Sequence, residues 1–132
     1  MKLFIDTSAL VALRRKDDAQ HARAKEFLLQ AGAVEFHTCN LTFSETLTLL
    51  AARHGQDAAI DFGTDFMAVQ RMKVYYADAT LERAGLAVLR AFRDKRLSFV
   101  DAATIALVRA ERLDGVFGFD ADFERCGVRL YP

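Results

Sequence analysis

Short apolar runs alternate along the chain with longer stretches in which apolar residues recur every third or fourth position. The runs Leu3 to Ile5, Val34 to His37, Lys73 to Tyr76, Gly115 to Phe119 and Val128 to Tyr131 have the length of strands. Between them, Ala24, Phe27, Leu28 and Ala31 form one helical stripe, and Phe43, Leu47, Leu50 and Ala51 a second. Ala59, Phe62, Gly63 and Phe66 suggest a third, while Leu81, Ala84, Gly85, Val88, Leu89 and Phe92 predict a three-turn amphipathic helix. Ala102 to Leu113 is apolar nearly all round, which predicts a helix packed closely on a sheet. Helices alternating with short strands predict an α/β fold whose mainly parallel central sheet is covered on both faces. Ligands of such sheets gather at the carboxyl ends of the strands.

The length of 132 residues suits one domain, residues 1–132, with no linker, repeat or low-complexity stretch inside it. No segment approaches the roughly 20 apolar residues of a membrane span, and no secretory signal is expected, so a cytoplasmic location is the reading. Cys39 and Cys126 belong to no Cys-x-x-Cys pair, so zinc and redox chemistry find no support. Lys plus Arg and Asp plus Glu number 18 each. That balance argues against a general electrostatic grip on nucleic acid and leaves attraction to local patches and bound cations.

Four acidic residues fall where an element begins or ends. Asp6 follows the first strand in Phe4-Ile5-Asp6-Thr7-Ser8, Glu45 is placed in the first turn of the helix after Asn40-Leu41-Thr42, Asp101 stands in Ser98-Phe99-Val100-Asp101, and Asp120 ends a strand in Gly118-Phe119-Asp120. Each has a structural explanation. Thr42-x-x-Glu45 and Ser98-x-x-Asp101 read as capping boxes, and Asp6 and Asp120 as N-caps. Jointly they suggest more: carboxylates converging on one mouth of a sheet repel unless a divalent cation neutralises them. All-oxygen ligands suit Mg²⁺ or Mn²⁺, which activate water and stabilise charge on a phosphate. Thr7 and Ser8 would either support a carboxylate by hydrogen bonding or cap the helix that starts there.

These motifs, in this order and spacing, resemble the PIN domain, in particular the VapC-type toxins of bacterial toxin–antitoxin pairs. The matching pieces are Asp6-Thr7-Ser8-Ala9-Leu10, Ser44-Glu45, Ser98-x-x-Asp101-Ala102 and Phe119-Asp120-Ala121-Asp122-Phe123, which together span nearly the whole chain. The resemblance implies a three-layer α/β/α sandwich and a metal-dependent endoribonuclease. Its acidic site would be Asp6, Glu45, Asp101 and Asp120, with Asp6 and Asp101 as direct ligands of Mg²⁺ or Mn²⁺ and Asp122 as a supporting acid. It also implies an RNA substrate, a cognate antitoxin protein and a homodimer. Many relatives carry Thr or Ser two residues before the late aspartate, where this chain has Gly118.

The basic runs Arg14-Arg15-Lys16 and Arg93-Asp94-Lys95-Arg96 read first as solvated helix ends favoured by the dipole; as phosphate contacts the second is the better candidate, because it leads into the Asp101 motif. His21, His37 and His54 show no pairing that would support a metal-free imidazole mechanism. Two further readings compete with the nuclease. A non-catalytic PIN-like nucleic-acid-binding or regulatory module would be expected to lose acids, and all four are present. A phosphotransfer enzyme with Asp6 as nucleophile usually has a second aspartate where Ser8 stands.

Overall fold

Leu3 and Ile5 face one way from the first strand and Phe4 the other, and this two-residue period sorts the entire core. The computed structural model describes all residues, Met1 to Pro132. Five strands, β1 (Lys2–Ile5), β2 (Glu35–Cys39), β3 (Met72–Tyr75), β4 (Gly115–Phe117) and β5 (Leu130–Tyr131), form one parallel sheet in the order β3-β2-β1-β4-β5. Parallel neighbours require crossovers, which the helices supply. These are α1 (Thr7–Arg14), α2 (His21–Gln30), α3 (Asn40–His54), α4 (Gln56–Ala68), α5 (Ala79–Ala91), α6 (Phe99–Ala110) and the single turn α7 (Asp122–Arg125).

Leu3, Ile5 and Phe117 join α1, Ala24 of α2, Leu50 of α3 and Phe62 and Phe66 of α4 in one apolar cluster. Phe4 and Val116 join Val88 of α5, Ile105 and Leu107 of α6 and Phe123 of α7 in the other. The architecture is therefore three layers, with the sheet in the middle. Phe4 and Phe117 are fully buried on opposite faces, and truncating either to alanine is expected to cost about 3–5 kcal/mol.

The elements predicted from periodicity are present, but β2 runs Glu35–Cys39 rather than Val34 to His37, β3 Met72–Tyr75 rather than Lys73 to Tyr76, and α6 Phe99–Ala110 rather than Ala102 to Leu113. Four further differences have local causes. The strand at Gly115 stops at Phe117, because Gly118 and Phe119 turn toward the first helix. The final strand is only Leu130–Tyr131. Leu28 lies 39% exposed, so only Ala24 and Phe27 of its stripe reach the core. The helix carrying Glu45 begins at Asn40, directly from β2, so Thr42 is buried inside it and makes no cap; the expected Thr42–Glu45 capping box is absent. Glu45 accordingly sits in the second turn rather than the first.

The strand order reverses at β1: the chain steps outward to β2 and β3, then returns to the other side for β4 and β5. The crevice beyond the carboxyl ends of β1 and β4 is where such sheets present ligand sites.

Candidate active site

Asp6 is the first residue past β1. Its backbone N–H donates to the Phe117 carbonyl at 3.0 Å, which fixes it at the seam between β1 and β4. Its carboxylate caps α1, accepting the Ser8 N–H at 3.3 Å and the Ser8 hydroxyl at 2.9 Å. Ser8 Oγ in turn accepts the Phe119 N–H at 2.9 Å, tying the segment after β4 to the first turn of α1. Asp120 follows, and its Oδ1 accepts the Asp122 N–H at 2.9 Å. It makes an aspartate turn just ahead of α7, one residue before the N-cap position that Ala121 occupies.

Asp101 is placed by the capping box that the sequence predicts. Ser98 Oγ accepts the Asp101 N–H at 3.0 Å and Asp101 Oδ2 accepts the Ser98 N–H at 3.2 Å. One carboxylate oxygen thus secures the helix start, and the other is left for chemistry. Glu45 comes from α3 on the far wall.

All four acids line one cleft of about 300 Å³, together with Thr7, Ser8 and Ser98. Residues separated by nearly a hundred positions meet there because the topology delivers β1, β4 and the starts of α1 and α6 to the same end of the sheet. Asp6 is 4% exposed, and burial pushes its carboxyl up to about 7; the Ser8 hydroxyl opposes the rise and the Asp101 charge adds to it. Burial also raises Asp101, opposed by its bonds to Ser98 and reinforced by the charges of Asp120 and Glu45. Such a cluster is short of positive charge.

The donors here are carboxylate oxygens, with the buried Thr7 hydroxyl beside them lacking any hydrogen-bond partner. No three carboxylate, imidazole or thiol groups converge tightly enough to enclose an ion by themselves. As oxygen donors the lining groups suit a hard cation such as Mg²⁺ and not a closed zinc site of nitrogen and sulfur ligands.

Other residues singled out from the sequence fall elsewhere. Asp122 does not line the cleft; its carboxylate pairs with Arg125 at 2.7 Å, so it supports the site only through its backbone bond to Asp120. Neither basic run reaches the cleft. Arg14 pairs with Asp65, Arg15 with Asp17, and Lys95 with Asp94, which is the ordinary fate of charges at helix ends. The histidines are also outside it: His21 Nδ1 lies 2.7 Å from the Ala12 carbonyl, His37 lies between Glu35 and Tyr75, and His54 faces Asp17.

The cleft includes groups the sequence reading did not single out: Val11, Asp18, Gln20, Leu49 and Arg53. Leu49 and Arg53 follow Glu45 at four-residue spacing, so helical periodicity carried on from Glu45 finds them. Asp18 sits in the loop before α2, where its carboxylate accepts the Gln20 N–H at 2.8 Å. Nothing in the local sequence signals its approach to the site.

No helix is long and apolar enough to cross a membrane. The chain is 32% identical over 131 residues to the 23S rRNA-specific endonuclease VapC20 of Mycobacterium tuberculosis, covering 98% of both proteins. The crystal structure of VapC20, described as a sarcin–ricin loop cleaving toxin, matches with a TM-score of 0.88 and 30% identity over 96% of each chain. A toxin–antitoxin complex from Klebsiella pneumoniae matches with a TM-score of 0.65 at 18% identity, over 92% of this chain and 89% of that one. FitAcB from Neisseria gonorrhoeae matches with a TM-score of 0.67 at 13% identity, over 100% and 97%. These last two show a common fold. With residues 3–128 matching the PIN domain, the chain belongs to the PIN domain family.

Proposed function

We propose that this protein is a divalent-metal-dependent endoribonuclease and the toxin of a toxin–antitoxin pair. The observation that carries the proposal is the meeting of Asp6, Glu45, Asp101 and Asp120 in one cleft at the carboxyl end of the sheet. Asp6 and Asp101, the positions that the PIN resemblance assigns to direct ligands, would hold Mg²⁺ or Mn²⁺ in this cleft. A bound ion of this kind supplies an activated water and neutralises charge developing on the phosphate. Glu45 and Asp120 complete the negative rim and would help to hold the cation and its waters. Ser8 holds Asp6 in place, and Ser98 holds Asp101.

The similarity to VapC20, named for action on 23S rRNA and on the sarcin–ricin loop, supports the same class of structured RNA as substrate. The toxin–antitoxin complex among the structural neighbours supports an antitoxin protein as partner. The test is incubation with an RNA stem-loop of the sarcin–ricin type under increasing Mg²⁺ or Mn²⁺, with mapping of the cut. Metal-dependent cleavage at one internal bond, abolished by chelator, is the expected result. Intact RNA at every metal concentration, with a second structured RNA and a single-stranded one also uncut, contradicts the nuclease reading.

A further inference from the structure

Five carboxylates line the cleft, Asp6, Asp18, Glu45, Asp101 and Asp120, and one cation, Arg53. A guanidinium so placed would ordinarily be consumed in an ion pair. Arg53 shares the cleft with five carboxylates and still has no carboxylate oxygen within ion-pairing distance. It stays exposed in the last turn of α3. Glu45, Leu49 and Arg53 follow one another at four-residue spacing, so all three stand on the same face of α3 toward the cleft. At ~1.5 Å rise per residue, Arg53 lies ~12 Å along the helix from Glu45. Arg53 therefore stands toward the C-terminal end of α3, away from Glu45, and is the one cationic group lining the cleft.

We infer that Arg53 is a substrate-positioning residue that holds a backbone phosphate of the RNA one or two nucleotides from the bond cut at the carboxylates. The inference rests on the nuclease reading of the cleft. An acidic pocket repels a polyanion, and a chain with no net charge has no general field to overcome that. An unpaired guanidinium presents forked N–H donors matched to phosphate oxygens, and it loses no ion pair on binding. Held at that distance, the strand is fixed in register, so the scissile phosphate rather than its neighbour is presented to Asp6 and Asp101. Sequence is not read by such a contact.

The experiment compares Arg53→Ala, Arg53→Lys and the unaltered chain on a single-stranded RNA probe and on a sarcin–ricin-type stem-loop. Binding is measured in an Asp101→Asn background across a salt series, and steady-state cleavage in the Asp101 background. Arg53→Ala is expected to weaken binding about tenfold on both RNAs, in keeping with loss of one charge-assisted contact. The slope of log affinity against log salt should become shallower by about 0.7. Cleavage should show the loss in KM while kcat changes less than about threefold, and Arg53→Lys should restore the salt slope. Replacing one phosphate at a time by a neutral methylphosphonate should reveal a single position, offset from the cut, at which Arg53→Ala no longer matters. If Asp101→Asn abolishes cleavage but Arg53→Ala leaves affinity and salt slope unchanged, the role of Arg53 is overturned and the nuclease site stands. A loss that persists at every neutralised phosphate assigns Arg53 to a base and equally overturns it. Cleavage that survives Asp101→Asn overturns the site reading itself.

Discussion

A Cβ on Gly118 would lie 3.1 Å from Ser8 Oγ, the atom that binds both the Asp6 carboxylate and the Phe119 N–H. The same Cβ would stand 3.1 Å from Asp6 Cβ and 3.4 Å from Asp6 Oδ2. Glycine at this position leaves room for the Ser8 hydroxyl. Gly118→Ala is expected to displace the Ser8–Asp6 pair by a few tenths of an ångström. Overpacking of this kind costs about 1–2 kcal/mol. Chemical denaturation should register that loss, and cleavage should fall about tenfold through kcat. Full activity and stability in Gly118→Ala would show that the close fit is not needed.

Ser8→Ala removes the hydroxyl without adding bulk. The Phe119 N–H loses its acceptor and the Asp6 carboxylate loses a donor that favours its charged form. The carboxyl of Asp6 should therefore rise further, and the acidic limb of the pH–rate profile should move to higher pH. A lowered rate with an unmoved limb would indicate that Ser8 serves only to hold the loop.

Asp6 also makes a pH signature in the protein without metal. Its carboxyl is raised from 3.8 to about 7 on folding, so between those values the folded chain holds a proton that the unfolded chain has released. Stability from this group is then greatest at low pH and declines as pH rises through that window, by up to about 4 kcal/mol. Other carboxylates act in the opposite sense, so the contribution is read as a difference: Asp6→Asn should flatten the descent between pH 4 and about 7. Metal binding runs the other way, because an ion must displace that proton. Calorimetry in buffers of different ionisation heat should find proton release, and Mn²⁺ affinity rising as pH approaches 7. Affinity independent of pH over this range would contradict direct ligation by Asp6.

Ser98→Ala removes the Oγ acceptor for the Asp101 N–H. The loss of an N-cap costs about 1 kcal/mol, while the Ser98 N–H still donates to Asp101 Oδ2. Ser98→Asp or Ser98→Asn keeps a capping oxygen, and should recover stability. A variant as stable as the parent would mean that α6 is held by its buried face, Ala102 to Val108, alone.

Much of this was legible from residue order. The two-residue and near-four-residue periods separate strands from helices because each buried face must be continuous, and the Ser98–Asp101 box marks a helix start by its own chemistry. Glu45 was placed one turn early because Thr42 looks like a cap; Cys39 and the run of β2 into α3 decide otherwise, and that is a tertiary matter. Leu28 obeys the helical period and still faces solvent, because the sheet beneath α2 is reached only by Ala24 and Phe27. The basic runs read first as solvated helix ends, and Arg14, Arg15 and Lys95 do pair there, whereas Arg53 carries no signal in the sequence, since approach to a cleft is invisible in one dimension. Asp18 reaches the cleft through a loop whose path depends on Asp18 capping Gln20, and no spacing announces that.

The most direct measurement is single-turnover cleavage by Asp101→Asn beside the unaltered protein under saturating Mn²⁺. The carboxamide oxygen can keep the Ser98 N–H bond and the helix start, while the charge that faces Asp6, Glu45 and Asp120 is gone. An intact fold with cleavage lowered ~100-fold or more is expected, at least as large as the loss of a group that merely supports a metal ligand. Equal rates from the two proteins, or cleavage unaffected by chelator, would contradict this expectation.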